Sequence, residues 1–177
     1  MEKELEIEIC NDILSFGIEP TQRILHLGCG DKQTNFLDTM QHIHPGFFYL
    51  GVDVDVDVIN RMEEKYSDIP IYSFNNTTIQ NFLDFTMHNR EGSLEFEHTL
   101  ITGIFDKPTY KEKQYIFIST VVRKCLLFSN SIIFTVDDYN YRDYNYNVLY
   151  VINGLISSFN NVQMKKKLNK YIFCVTH

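Results

Sequence analysis

Ile24-Leu25-His26-Leu27-Gly28-Cys29-Gly30-Asp31 and Gly51-Val52-Asp53 are the two stretches on which the fold of this chain turns. In the first, a short apolar run between Pro20 and Gly28 reads as a buried strand that runs directly into a glycine turn. Gly28 and Gly30 admit backbone conformations closed to other residues and let the main chain approach a ligand, while a following helix offers unpaired N–H groups. The second stretch closes the next strand with a carboxylate, which can accept hydrogen bonds from two ribose hydroxyls. Gly28 and Asp53 together describe a nucleoside site.

Outward from these stretches, short β-like runs alternate with helical ones. Leu5, Ile9, Ile13 and Leu14 mark a first helix that Gly17 ends, and Phe36, Leu37, Met40 and Ile43 mark a second that stops at Pro45-Gly46. Strands are expected over residues 47–52, 70–74, 99–104 and 131–136, with helices over 58–66, 79–87, 110–128 and 148–159 and a loop over 90–96. Residues 162–167 and 171–175 read as a closing hairpin turning at Leu168-Asn169-Lys170. Strands separated by such helices imply right-handed crossovers and a mostly parallel sheet covered on both faces, with ligands outside the carboxyl ends of the strands.

The bulk properties agree. A chain of 177 residues, 44% hydrophobic and 22% charged, is long enough to bury a core and is expected to form one domain over residues 1–177. A net charge of -7 disfavours nucleic acid as a partner, because phosphate binding needs clustered Lys and Arg. Cys10, Cys29, Cys125 and Cys174 lack metal-ligand spacing and read as reduced thiols. The acidic start and the absence of a long apolar run lead us to expect no membrane segment and a cytoplasmic protein.

A dinucleotide enzyme would carry a third glycine at Gln33, which argues against NAD or FAD. The pattern instead resembles class I S-adenosylmethionine-dependent methyltransferases, whose first motif is an apolar strand, an acidic residue and Gly-x-Gly; Ile24 to Gly30 match it except at His26. Gly51-Val52-Asp53 is similar to the family's second motif. The resemblance covers nearly the whole chain. It implies a Rossmann-like α/β/α sandwich whose seven-stranded sheet runs in the order 3-2-1-4-5-7-6, with an antiparallel last strand. It also implies S-adenosylmethionine as cofactor and methyl transfer to a small-molecule or protein acceptor. By the same resemblance His26, Gly28 and Gly30 lie at the methionine part, Asp53 holds the ribose and Val54 packs on adenine. Asn75 or Asn76 stands where the family often has an Asp that reads the adenine amino group; a neutral Asn can still accept a hydrogen bond. His26 replaces an acidic residue, and Asp31 is a candidate for the missing carboxylate. Gly103 falls in the fourth motif, in a stretch from Leu100 to Pro108 that looks similar to a bacterial and phage branch of the family. A catalytically silent binding or scaffold domain is the alternative function.

Because a sulfonium methyl is already activated, such an enzyme mainly needs alignment, with or without a general base. Asp106 is the candidate base, the alternative being that it orders the turn before Lys107-Pro108. The stretch 137–146 is rich in Tyr, Asn and Asp, and Tyr139 and Tyr141 in it are candidates for a substrate lid, weighed against an exposed loop. Lys165-Lys166-Lys167 reads as a protected edge strand. Asp55 and Asp57 suit a helix N-terminus better than a cation, and no metal is expected.

Overall fold

The computed structural model describes residues 2–30, 34–43, 45–88, 95–105, 111–138 and 148–177. Its elements run α1 (Glu2–Leu14), β1 (Arg23–Leu27), α2 (Thr34–Ile43), β2 (Phe48–Asp53), α3 (Val56–Lys65), β3 (Tyr72–Asn76), α4 (Ile79–His88), β4 (Phe96–Ile101), α5 (Lys111–Cys125), β5 (Ser129–Asp137), α6 (Val148–Ser158), β6 (Asn161–Lys167) and β7 (Lys170–Thr176). The strands form one seven-stranded sheet in the order β3-β2-β1-β4-β5-β7-β6, parallel except where β7 pairs antiparallel with both β5 and β6. This is the Rossmann-like α/β/α order expected from the resemblance.

Alternation along each strand sends side chains to two separate cores. Ile24 joins Ile13, Phe36, Leu37, Met40 and Met62 under α1, α2 and α3, whereas Leu25 and Leu27 join Leu83, Ile118, Val122 and Leu155 under α4, α5 and α6. Both faces of the central strands are therefore closed to water. Phe134 on β5 stacks on Phe173 of β7, with ring centroids 5.1 Å apart, which ties the antiparallel strand into the second core.

Two strands sit at a different place from the expected one. β3 starts at Tyr72 because Ile69 and Tyr72 close a turn around Pro70, and it continues to Asn75 and Asn76, whose main chains pair with Val52 and Asp53. β4 starts at Phe96, opposite Ser129, and stops at Ile101, since Gly103 turns the chain with φ +77°. The hairpin turn lies at Leu168, whose φ is +47°. β6 is the sheet edge that the lysine cluster suggests: Lys165 pairs with Asp12 at 3.4 Å, Lys166 with Asp138 at 2.6 Å and Lys167 with Glu8 at 2.9 Å. These pairs hold a charged, self-occupied edge where another strand would otherwise add.

Candidate functional site

The carboxyl ends of β1 and β2 are clamped to one another by their own main chain. The N–H groups of Gly28 and Cys29 both donate to the carbonyl of Val52, at 2.7 and 3.1 Å. Gly28 has φ +70°, and a Cβ there would lie 2.5 Å from Ile104 Cγ1, so only glycine fits. Beneath this turn Gly51 provides the same service to packing, because a Cβ on it would meet Phe74 at 2.8 Å and the Cys29 sulfur at 3.0 Å. Burial, and then the negative charge of Asp53, push the Cys29 thiol up to about 12, so it is no nucleophile.

Asp53 is the centre of the arrangement. Its Oδ2 accepts the Gly30 N–H at 3.0 Å and its Oδ1 accepts the Asp55 N–H at 3.0 Å. A carboxylate has about four acceptor positions, so two remain beyond these hydrogen bonds. Asp55, next in line, caps α3 by accepting from the N–H groups of Asp57 and Val58, at 2.9 and 3.3 Å. The Asn76 amide donates to the carbonyls of Asp53 and Val54, at 3.2 and 3.0 Å, and holds the loop between β2 and α3. Asn75 is exposed beside it.

Around Asp53 opens a cleft of about 330 Å³ lined by Gly28, Asp53, Val54, Thr77, Thr78, Ile79 and Ile104. Its walls are apolar for the most part, with one carboxylate and the entry to α4 as the polar features. Val54 is 69% exposed and stands as an outer wall. Thr77, Thr78, Ile79 and Ile104 complete the cleft without having been singled out in the sequence. One signal for them was present: Thr78 Oγ1 accepts the Asn81 N–H at 3.1 Å, the capping spacing that announces a helix start.

His26 is a correction. Expected among the cofactor contacts, it has no exposed surface; Nδ1 is 2.8 Å from the Tyr49 hydroxyl and Nε2 is 2.7 Å from Thr102 Oγ1. Burial raises the Tyr49 phenol far above its ordinary range. A neutral ring has one N–H and one bare nitrogen, so one of these two hydroxyls accepts from the ring and the other donates to it. Burial also lowers the imidazole to about 3. The side chain is a neutral strut between β2 and the end of β4. Gly103 lies just past that end, exposed, with its N–H 3.4 Å from Thr135 Oγ1. Asp31, Asp106, Tyr139 and Tyr141 lie outside the described residues.

Among solved structures, magnesium protoporphyrin IX methyltransferase from Synechocystis PCC 6803, solved with bound S-adenosylmethionine, superposes with a TM-score of 0.64 at 11% identity, over 99% of this chain and 79% of that one. The N-methyltransferase NodS from Bradyrhizobium japonicum WM9 gives 0.65 at 13% identity, over 98% and 97% of the two chains. This chain has the class I methyltransferase fold. The CurJ carbon methyltransferase shares that fold with a TM-score of 0.66 at 13% identity, and this chain spans 53% of its length. No protein-family model and no curated protein sequence matches. In the methyltransferase fold, the cleft at Gly28 and Asp53 occupies the carboxyl ends of the first two strands, the position where open α/β sheets receive ligands. No described helix is long and apolar enough to cross a membrane.

Proposed function

We propose that this chain is a methyltransferase that binds S-adenosylmethionine in the cleft at Asp53 and methylates a small-molecule or protein acceptor, working as a single cytoplasmic domain over residues 1–177. The observation that carries the reading is the Asp53 carboxylate, fixed by Gly30 and Asp55 with two acceptor positions to spare at the edge of an apolar cleft. Those acceptor positions fit a ribose diol, and the apolar walls fit a planar base beside it. Asp53 holds the ribose, Val54, Ile79 and Ile104 enclose the base, and the Thr77 and Thr78 side chains with Asn75 flank its polar edge. Gly28 and Gly30 leave room for the methionine part, with Gly103 across from them and Asp31 as the candidate carboxylate for its amino group. The sulfonium supplies an activated methyl group. Asp106 would take the acceptor's proton, and Tyr139 and Tyr141 would hold the acceptor.

A catalytically silent binding domain is the second reading, favoured by one observation: the position where the resemblance expects a carboxylate holds a sealed, neutral His26. Calorimetric titration with S-adenosylmethionine and S-adenosylhomocysteine tests both. Micromolar binding of each, followed by turnover in an acceptor screen, is the outcome expected for the enzyme. Binding with no turnover on any acceptor class favours the silent domain, and binding of neither ligand refutes the cofactor.

A further inference from the structure

The turn between β4 and α5 is held by buried polar side chains from three other parts of the fold. His26 of β1 reaches Thr102 at 2.7 Å, Thr135 of β5 accepts the Gly103 N–H at 3.4 Å, and Gln114 of α5 donates to the Phe105 carbonyl at 2.8 Å. His26, Thr135 and Gln114 are 0, 2 and 1% exposed, so none of these hydrogen bonds can be exchanged for water without opening the core. Of the four described residues of the turn, Thr102 and Phe105 are buried and Gly103 has no side chain. Among the described residues of the turn, Ile104 is the one whose side chain lines the cleft, packed on the face of Gly28 where a Cβ would stand.

Buried polar groups are expensive to satisfy, and here several of them serve one short turn. We infer that His26, Thr102, Thr135 and Gln114 are positioning residues that hold Ile104 on Gly28 and so keep the wall of the ligand cleft formed before any ligand arrives. None of the four touches the ligand; each acts through the main chain or side chain of residues 102–105. The Thr135 contact is the longest and contributes least. The role in binding rests on the function proposed above, whereas the placement of Ile104 does not.

The test uses the intact chain with Ile δ1 methyl groups labelled for NMR. Thr102→Val and Gln114→Met remove hydrogen bonds with little change of volume, Thr102→Ser restores the hydroxyl, and protected amides in β5 and β7 certify that each variant is folded. In the wild type the Ile104 methyl shows a through-space contact to the Gly28 α protons without ligand. In Thr102→Val and Gln114→Met that contact weakens, and Thr102→Ser recovers it. If the competent turn falls to about one molecule in ten, the apparent dissociation constant for S-adenosylhomocysteine rises about tenfold. An Ile104 contact and an affinity unchanged in both Thr102→Val and Gln114→Met overturn the inference. Loss of the Ile104 contact in a protein whose wild type binds no S-adenosylhomocysteine supports the positioning and refutes the cofactor instead.

Discussion

Acid should unfold this protein partly through His26. The ring is fully buried and its folded value is lowered by desolvation to about 3, while an unfolded histidine titrates near 6.5. A folded value below the unfolded one means that the unfolded chain binds the proton first. The contribution to stability is therefore complete above about pH 6.5 and is lost as the pH falls from there towards 3. At pH 5 the unfolded ring is mostly protonated and the folded ring is not, which amounts to about 2 kcal/mol of stability lost relative to pH 7. His98, buried between Ser131 and Gln22, adds to the loss in the same direction. Replacing His26 by Asn removes the titration at that position and leaves His98 in place. Urea unfolding curves at pH 7 and pH 5, for the wild type and His26→Asn, isolate the effect: the variant starts less stable, because Thr102 and Tyr49 lose their full-length partner, but falls less between the two pH values by about 2 kcal/mol. Parallel losses in the two proteins would refute the reasoning, since they would mean that His26 is protonated alike in the folded and unfolded chains.

Three further perturbations follow from the geometry. Asp53→Ala should weaken S-adenosylmethionine binding at least about tenfold in calorimetric titration, because hydrogen bonds to a charged group contribute about 1.5–3 kcal/mol. Gly28→Ala places a methyl group 2.5 Å from Ile104 Cγ1 at a φ of +70°, so thermal unfolding should come at a lower temperature, with about 1–3 kcal/mol lost to backbone strain before the clash is counted. Phe134→Ala empties a fully buried position stacked on Phe173, and denaturant unfolding should show a loss of about 3–5 kcal/mol.

What the chain declares about itself locally and what it leaves to folding can be separated residue by residue. Gly28, Gly30 and Asp53 are legible because their chemistry is local: a turn that excludes a Cβ and a carboxylate at a strand's end mean the same thing in most contexts. The helix over 79–88 is legible for the same reason, through the apolar spacing of its buried face. The β3 end was not legible, because Asn75 and Asn76 are turn formers by propensity and become strand only by pairing with β2. Likewise β4 slides towards Phe96 because its partners Ile24 to Leu27 and Ser129 to Phe134 set the register. His26 is the clearest failure of local reading. Its partners stand 23 and 76 residues away, and nothing near it in the chain announces that both ring nitrogens are occupied.

The position of β7 has a consequence for how the molecule is made. Chain order places it last, yet in space it stands between β5 and β6, so the strand synthesised seventh is the one that joins its two predecessors. Until it emerges, β5 ends the growing sheet with Ile132, Phe134 and Val136 lacking the neighbours Val175, Phe173 and Tyr171, and β6 has no strand to pair with. At translation rates of about 5–20 residues per second that interval lasts on the order of seconds. The nascent chain thus carries an open, apolar flank until residues 170–176 emerge, and its vulnerability to aggregation is greatest in that interval.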